Sequence, residues 1–141
     1  MKILVINGPN INMLGVREPK IYGTQTYEEL IRYIKTNASM QGIDICCKQS
    51  NHEGDLVDWI QEAYGVYDGI IINPAAYTHT SIAIADALKA VGIPTIEVHL
   101  TNPDNRESYR HISYIREACI ATIAGMGFES YAKAIELLIK H

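Results

Sequence analysis

The chain lacks what several large functional classes require. There is no basic patch: the formal net charge is −4, and charges of one sign do not gather in runs. Nucleic-acid binding rests on phosphate neutralisation, so nucleic acid is not an expected partner. No apolar stretch approaches the roughly 20 residues of a membrane span. Met1-Lys2 followed by Ile3-Leu4-Val5-Ile6 reads as a first strand rather than a leader peptide, so no membrane partner and a cytoplasmic location are expected. Cysteine is scarce. Cys46 and Cys47 are adjacent and Cys119 is distant, an odd count without zinc spacing, and all three sit in apolar runs. They are expected to be buried thiols in a reducing compartment. The loop after the first strand has no G-x-G-x-x-G, no G-x-x-x-x-G-K-[ST] and no Ser/Thr run to cradle a flavin phosphate. His52 and Glu53 are neighbours and would point apart on a strand, so they do not make a metal pair. No cofactor and no metal are expected. Repeats, low-complexity tracts and linkers are also absent, and 141 residues suit a single domain over 1–141.

What is present is alternation. Apolar or β-branched runs at 3–6, 43–47, 69–72, 95–98 and 119–124 predict five strands, apolar on both faces as in a covered parallel sheet. Between and after them lie helical periods: Tyr27, Leu30, Ile31, Ile34; Leu56, Trp59, Ile60, Ala63; Ile84, Ala87, Leu88, Val91; and Tyr131, Ala134, Ile135, Leu138. Thr26 with Glu29 is a capping-box signature, and Gly92-Ile93-Pro94 ends the third helix. The expectation is an α/β, flavodoxin-like, doubly wound five-stranded parallel sheet of order 2-1-3-4-5 with helices on both faces. Two segments break the pattern. One is a candidate lid loop over about 8–23, too long for an ordinary connection. The other is the polar stretch 100–113, where Arg106 and Arg110 are spaced to share a helical face.

Open parallel sheets bind ligands beyond the carboxyl ends of their strands. Four predicted exits carry polar residues: Asn7-Gly8-Pro9-Asn10; Gln49-Ser50-Asn51-His52-Glu53-Gly54; Asn73-Pro74-Ala75-Ala76-Tyr77-Thr78-His79; and Glu97, His99, Thr101, Asn102. Uncharged donors suit a polyhydroxylated small molecule, and nearby arginines suit a carboxylate. Strand alternation puts Glu97 and His99 on one face, where a carboxylate can orient an imidazole. Two other functions share such a fold. A flavodoxin-like cofactor or nucleotide binder would need a phosphate-cradling first loop. A receiver-like signalling domain would need acidic residues at the first and third exits, where Asn7 and Asn73 stand.

With these loops assembled, the chain resembles type II 3-dehydroquinate dehydratase over essentially its whole length. The match runs through the segment from Asn7 to Gly15, Arg17-Glu18-Pro19, Tyr22-Gly23, the second and third exits through Ser81, Glu97-Val98-His99, Arg106-Glu107, Arg110-His111 and Gly125-x-Gly127. The resemblance implies a lyase that dehydrates 3-dehydroquinate to 3-dehydroshikimate through an enolate, in the shikimate route or in quinate breakdown, without cofactor or metal. It implies Tyr22 as base, Arg17 as its activating partner, His99 as general acid and Asn10 as holder of an enolate-stabilising water. Asn73, His79, Arg110 and the backbone at Leu100 and Thr101 would bind substrate. Glu97 and Asn51 would support. Asp86 would reach the site of a neighbouring subunit in a homo-oligomer, a dodecamer built from trimers. Departures are small: Thr101 stands where Ser is usual and Ile112 where a second His is common.

Overall fold

A computed structural model describes residues 1–16 and 19–141, excluding the side chains of Ile21 and Tyr22. The strands are β1 (Lys2–Asn7), β2 (Asp44–Gln49), β3 (Gly69–Asn73), β4 (Thr95–His99) and β5 (Ala121–Ala124). The helices are α1 (Pro19–Tyr22), α2 (Tyr27–Met40), α3 (Glu53–Glu62), α4 (Ile82–Val91) and α5 (Glu129–Lys140). The strands form one sheet in the order β2-β1-β3-β4-β5, and every pairing is parallel. This is the flavodoxin-like order predicted from the alternation.

Each helix begins or ends where its local chemistry dictates. Thr26 Oγ1 accepts from the Glu29 N–H at 3.2 Å and opens α2. Ser81 Oγ accepts from the Ile84 N–H at 3.0 Å and opens α4, which closes at Gly92 with φ 65°. That left-handed turn is open to glycine at no steric cost.

Alternation along the strands sorts the core into two halves. Ile3 and Val5 of β1, Ile71 of β3, and Ile96 and Val98 of β4 pack with Leu30 and Ile34 of α2 and with Tyr131, Ala134, Ile135 and Leu138 of α5. Leu4, Ile6, Ile70 and Ile72 pack on the other face with Leu56 and Ile60 of α3 and Ile84 and Leu88 of α4. Each fully buried Ile or Leu stabilises the fold by on the order of 1.5–3 kcal/mol relative to exposure. The central strands β1, β3 and β4 are buried almost throughout, whereas the edge strands β2 and β5 are half-buried.

Several expectations are corrected. The cysteines are free and half-buried rather than fully buried. Cys46 and Cys47 lie on the edge strand, where cover is incomplete, and Cys119 caps the end of a 3-10 turn (Arg116–Ala118) ahead of β5 instead of entering the strand. His52 and Glu53 are not on a strand: His52 caps α3 and Glu53 is its first residue. The polar stretch 100–113 forms no helix carrying both arginines. It makes separate 3-10 turns at Pro103–Asn105 and Ser108–Arg110, with Arg106 extended between them. Segment 8–23 contains a 3-10 turn, Ile11–Met13, and the one-turn helix α1. Among the described residues no helix is long and apolar enough to cross a membrane.

Candidate active site

The exits of β1 and β3 are locked together before any side chain is considered. Gly8 N–H donates to the Asn73 carbonyl at 2.8 Å. A Cβ on Gly8 would fall 2.6 Å from the Pro74 carbonyl oxygen, so only glycine allows the approach. Two non-glycine residues beside this junction hold positive φ, Asn10 at 71° and Ala75 at 53°. Such conformations cost on the order of 1–3 kcal/mol each and persist where the surroundings over-determine them. At Asn10 the reason is visible: its N–H donates to Asn51 Oδ1 at 3.0 Å. Asn51 is held in turn by Gln49 Nε2 at 3.2 Å and, through its carbonyl, by the Tyr77 hydroxyl at 2.8 Å. At Ala75 the N–H donates to Asn73 Oδ1 at 3.1 Å.

Around this junction lies a pocket lined by Asn10, Asn73, His79, His99, Leu100, Thr101, Arg106 and Arg110, with Pro9, Ile11, Ala75, Ala76 and Pro103 between them. Seven of the sequence-predicted site residues thus share one cavity: Asn10, Asn73, His79, His99, Leu100, Thr101 and Arg110. Glu97 and Asn51 stand directly behind it. Asp86 does not line it; it is exposed on the outer face of α4. Arg17 and the Tyr22 side chain lie outside the described residues. Among the described residues no group of three or more His, Cys, Asp or Glu side chains is arranged to hold a metal ion.

The two pocket histidines are fixed in different ways. His79 Nδ1 sits 2.7 Å from the Ile112 carbonyl. A carbonyl only accepts, so Nδ1 carries a proton and Nε2 is the accepting atom of the neutral ring. His99 Nε2 sits 2.5 Å from Glu97 Oε2, and Glu97 is fully buried. A buried carboxylate is costly without partners. Glu97 has three: His99, the Ser113 hydroxyl at 3.0 and 3.2 Å from its two oxygens, and Arg116 Nη2 at 3.9 Å.

On the opposite wall Arg110 Nε donates to Glu107 Oε2 at 2.8 Å, and its guanidinium lies over the Tyr109 ring, 5.2 Å from the centroid. A backbone N–H within the same residue, then Arg110, hold the Glu107 carboxyl below the usual range. Desolvation is the largest single influence on Arg110 and would lower its pKa, but the hydrogen bonds and charges of Glu107 and Tyr109 together outweigh it and the net shift is upward. Arg106 Nε is 3.8 Å from the same carboxylate. The pocket therefore offers two guanidinium groups to an anion and an accepting imidazole nitrogen to a hydroxyl, beside two carboxamides and a carboxylate-backed imidazole.

Sequence reasoning missed three participants. Ser113 closes the polar stretch and donates to Glu97. Glu107 orients Arg110. Tyr131 was visible only as an apolar position on the α5 face, yet its hydroxyl bonds both Asn7 and Asn73. The one signal for Tyr131 was a hydroxyl in an otherwise apolar stripe, since a buried Tyr oxygen needs a partner.

An open parallel sheet with its pocket at the strand exits, and with uncharged donors and paired arginines around a buried carboxylate–imidazole pair, defines an enzyme acting on a small polar anion. The comparisons with known proteins agree. The family model described as Dehydroquinase class II matches residues 1–139. The 3-dehydroquinate dehydratase of Clostridium acetobutylicum is 54% identical over 138 residues, covering 98% of this chain and 96% of that one. The crystal structure of type II dehydroquinase from Butyrivibrio crossotus superposes with a TM-score of 0.97 at 52% identity, covering 99% of this chain and 97% of that one. The type II dehydroquinase from Propionibacterium acnes gives 0.95 at 41% identity, with coverage of 99% and 97%. The chain belongs to the class II dehydroquinase family.

Proposed function

We propose that this class II dehydroquinase removes water from 3-dehydroquinate to give 3-dehydroshikimate by net anti elimination through an enolate, in the shikimate route to aromatic compounds. The observation that carries the reading is the pairing of His99 with the buried Glu97 at the wall of a pocket that also holds Asn10, Asn73, His79 and Arg110.

The chemistry divides into two proton transfers. A base removes the axial proton next to the ketone, and its bonding pair moves into the carbonyl to form the enolate. Tyr22 is the base, and Arg17 favours its phenolate, since an ordinary phenol with a pKa of about 10 is a poor base at neutral pH. A water held by Asn10 stabilises the developing oxyanion, as pre-aimed neutral donors do elsewhere. The enolate then collapses, the carbon–oxygen bond to the leaving hydroxyl breaks, and His99 supplies the proton that makes it water. With Nε2–H donating to Glu97, His99 delivers that proton from Nδ1 in its doubly protonated form and is left as the neutral ring, which regains a proton, as Tyr22 loses one, before the next turnover.

Arg110 binds the substrate carboxylate, assisted by the backbone N–H groups of Leu100 and Thr101. His79 Nε2 accepts from a substrate hydroxyl, a role its bond to Ile112 leaves open. Asn73 presents its carboxamide to the ring. Asp86, exposed on α4, serves a neighbouring subunit's site in a dodecamer of trimers in the cytoplasm. Sedimentation reads the assembly: a large particle is expected, and a fully active monomer contradicts it.

The direct test adds purified protein to 3-dehydroquinate and follows the ultraviolet absorbance of the conjugated enone, with chelator or borohydride in parallel samples. Enone formation unaffected by either reagent is the expected result. A folded sample that forms no enone overturns the reading.

A further inference from the structure

We infer that Tyr131 is a positioning residue of this active site, acting through Asn73; its kinetic consequence rests on the dehydratase reading above. Tyr131 lies in the first turn of α5, on the far side of the sheet from Glu97 and His99, and is fully buried. Phenylalanine would fill the same space, so the hydroxyl must be explained by its bonds. It donates to Asn7 Oδ1 at 2.6 Å and accepts from Asn73 Nδ2 at 3.1 Å.

The direction of this chain is not arbitrary. A backbone N–H only donates, and that of Ala75 is 3.1 Å from the Asn73 side chain. The oxygen of the Asn73 carboxamide must therefore face Ala75, and its nitrogen must face Tyr131. The Tyr131 hydroxyl, having accepted from Asn73, is left to donate to Asn7. Turning the Asn73 carboxamide over would break both of its bonds and leave buried polar groups unpaired, at about 1–3 kcal/mol each. One N–H of Asn73 remains free of this chain, and Asn73 lines the pocket.

The same chain also supports backbone geometry. Ala75 holds φ 53°, and the bond from its N–H to Asn73 Oδ1 ties that turn to the strand end. Ala75 and Ala76 line the pocket beside Asn73. A hydroxyl supplied from α5 thus governs both the face Asn73 shows to a ligand and the turn that follows it. The chain is uncharged throughout, and burial pushes the Tyr131 phenol well above its ordinary pKa, so it stays a neutral hydroxyl across the working pH range.

Tyr131→Phe is the test, read in two ways on the full chain. Hydrogen exchange measured by mass spectrometry needs no turnover: the peptide covering 74–80 is expected to exchange faster in Tyr131→Phe than in the parent, while β1 and β4 are unchanged. Steady-state kinetics on 3-dehydroquinate should show KM raised about tenfold with kcat within about threefold. In a double-mutant cycle with Asn73→Ala, adding Tyr131→Phe should cost no more than about twofold further, since both act through one group. A purely structural role for Tyr131 would give additive losses. Asn7→Ala, which removes the acceptor of the hydroxyl without touching the pocket lining, is expected to repeat the KM signature and serves if Tyr131→Phe does not fold. Unchanged exchange at 74–80, or additive losses in the cycle, overturns the inference. If the parent makes no enone while the exchange difference is present, the reaction assignment fails and the positioning role stands.

Discussion

Two polar clusters sit at the carboxyl ends of the central strands β1, β3 and β4, on opposite faces of the sheet. Asn7, Asn73 and Tyr131 form one, on the side of α2 and α5; no member carries a charge. Glu97, His99, Ser113 and Arg116 form the other, on the side of α3 and α4, around a fully buried carboxylate. A neutral network fixes positions without a charge to desolvate. A buried carboxylate needs hydrogen bonds and counter-charges to persist, and such sites are found where protons are moved. The contrast assigns geometry to the first cluster and chemistry to the second. Substitutions in the first should act on KM, and substitutions in the second on kcat.

The largest effects are expected at the proposed base and its activating partner, Tyr22 and Arg17, which lie outside the described side chains. Tyr22→Phe and Arg17→Ala should each reduce kcat by about 100- to 10,000-fold while circular dichroism and melting are retained. Near-normal turnover in Tyr22→Phe would remove the base from the scheme and leave His99 and Glu97 as the whole of the acid–base machinery. A smaller effect is expected at Ser113. Ser113→Ala removes one hydrogen bond from a buried carboxylate and should reduce kcat about threefold to tenfold with KM little changed. A rise in KM alone would place Ser113 with the positioning cluster instead.

The smallest effect compares one thiol on each side. Cys47 packs on the neutral side and Cys119 on the charged side. Burial first, and for Cys119 the Glu97 charge second, push both thiols up to about 12. At pH 8 a thiol of that pKa is roughly one part in ten thousand thiolate. Both should resist a disulfide reagent in the native protein, and peptide mapping after labelling reads this. Replacing Glu97 by Gln should speed labelling at Cys119 and leave Cys47 as it was, because only Cys119 lies in the field of that carboxylate.

The fold was legible because periodicity is a direct record of which side of an element is covered. The runs at 3–6 and 69–72 and the i, i+3, i+4 series of α2 and α4 located their elements and, through alternation, the shared face of Glu97 and His99. The exits of the strands then located the pocket. Tyr131 was not legible as a site residue, because a phenol and a phenylalanine make the same mark in a hydrophobic stripe and only the hydroxyl's partners, far away in the chain, set them apart. Arg106 and Arg110 reach one cavity by a route their spacing did not predict, through two 3-10 turns, the first capped by Asn102 and the second carrying Arg110 held by Glu107. Asp86 faces outward on α4, and spacing along a helix says nothing about what a second subunit places against it.

The most direct measurement is on Glu97→Gln, which keeps the size and one acceptor oxygen and removes the charge. Binding of 3-dehydroquinate is measured by calorimetry and turnover by enone absorbance on the same preparation. The assignment of chemistry to the charged cluster predicts affinity within about threefold of the parent and kcat lower by about 100-fold or more. Weakened affinity with kcat preserved would contradict it and would make Glu97 a structural support for the pocket wall.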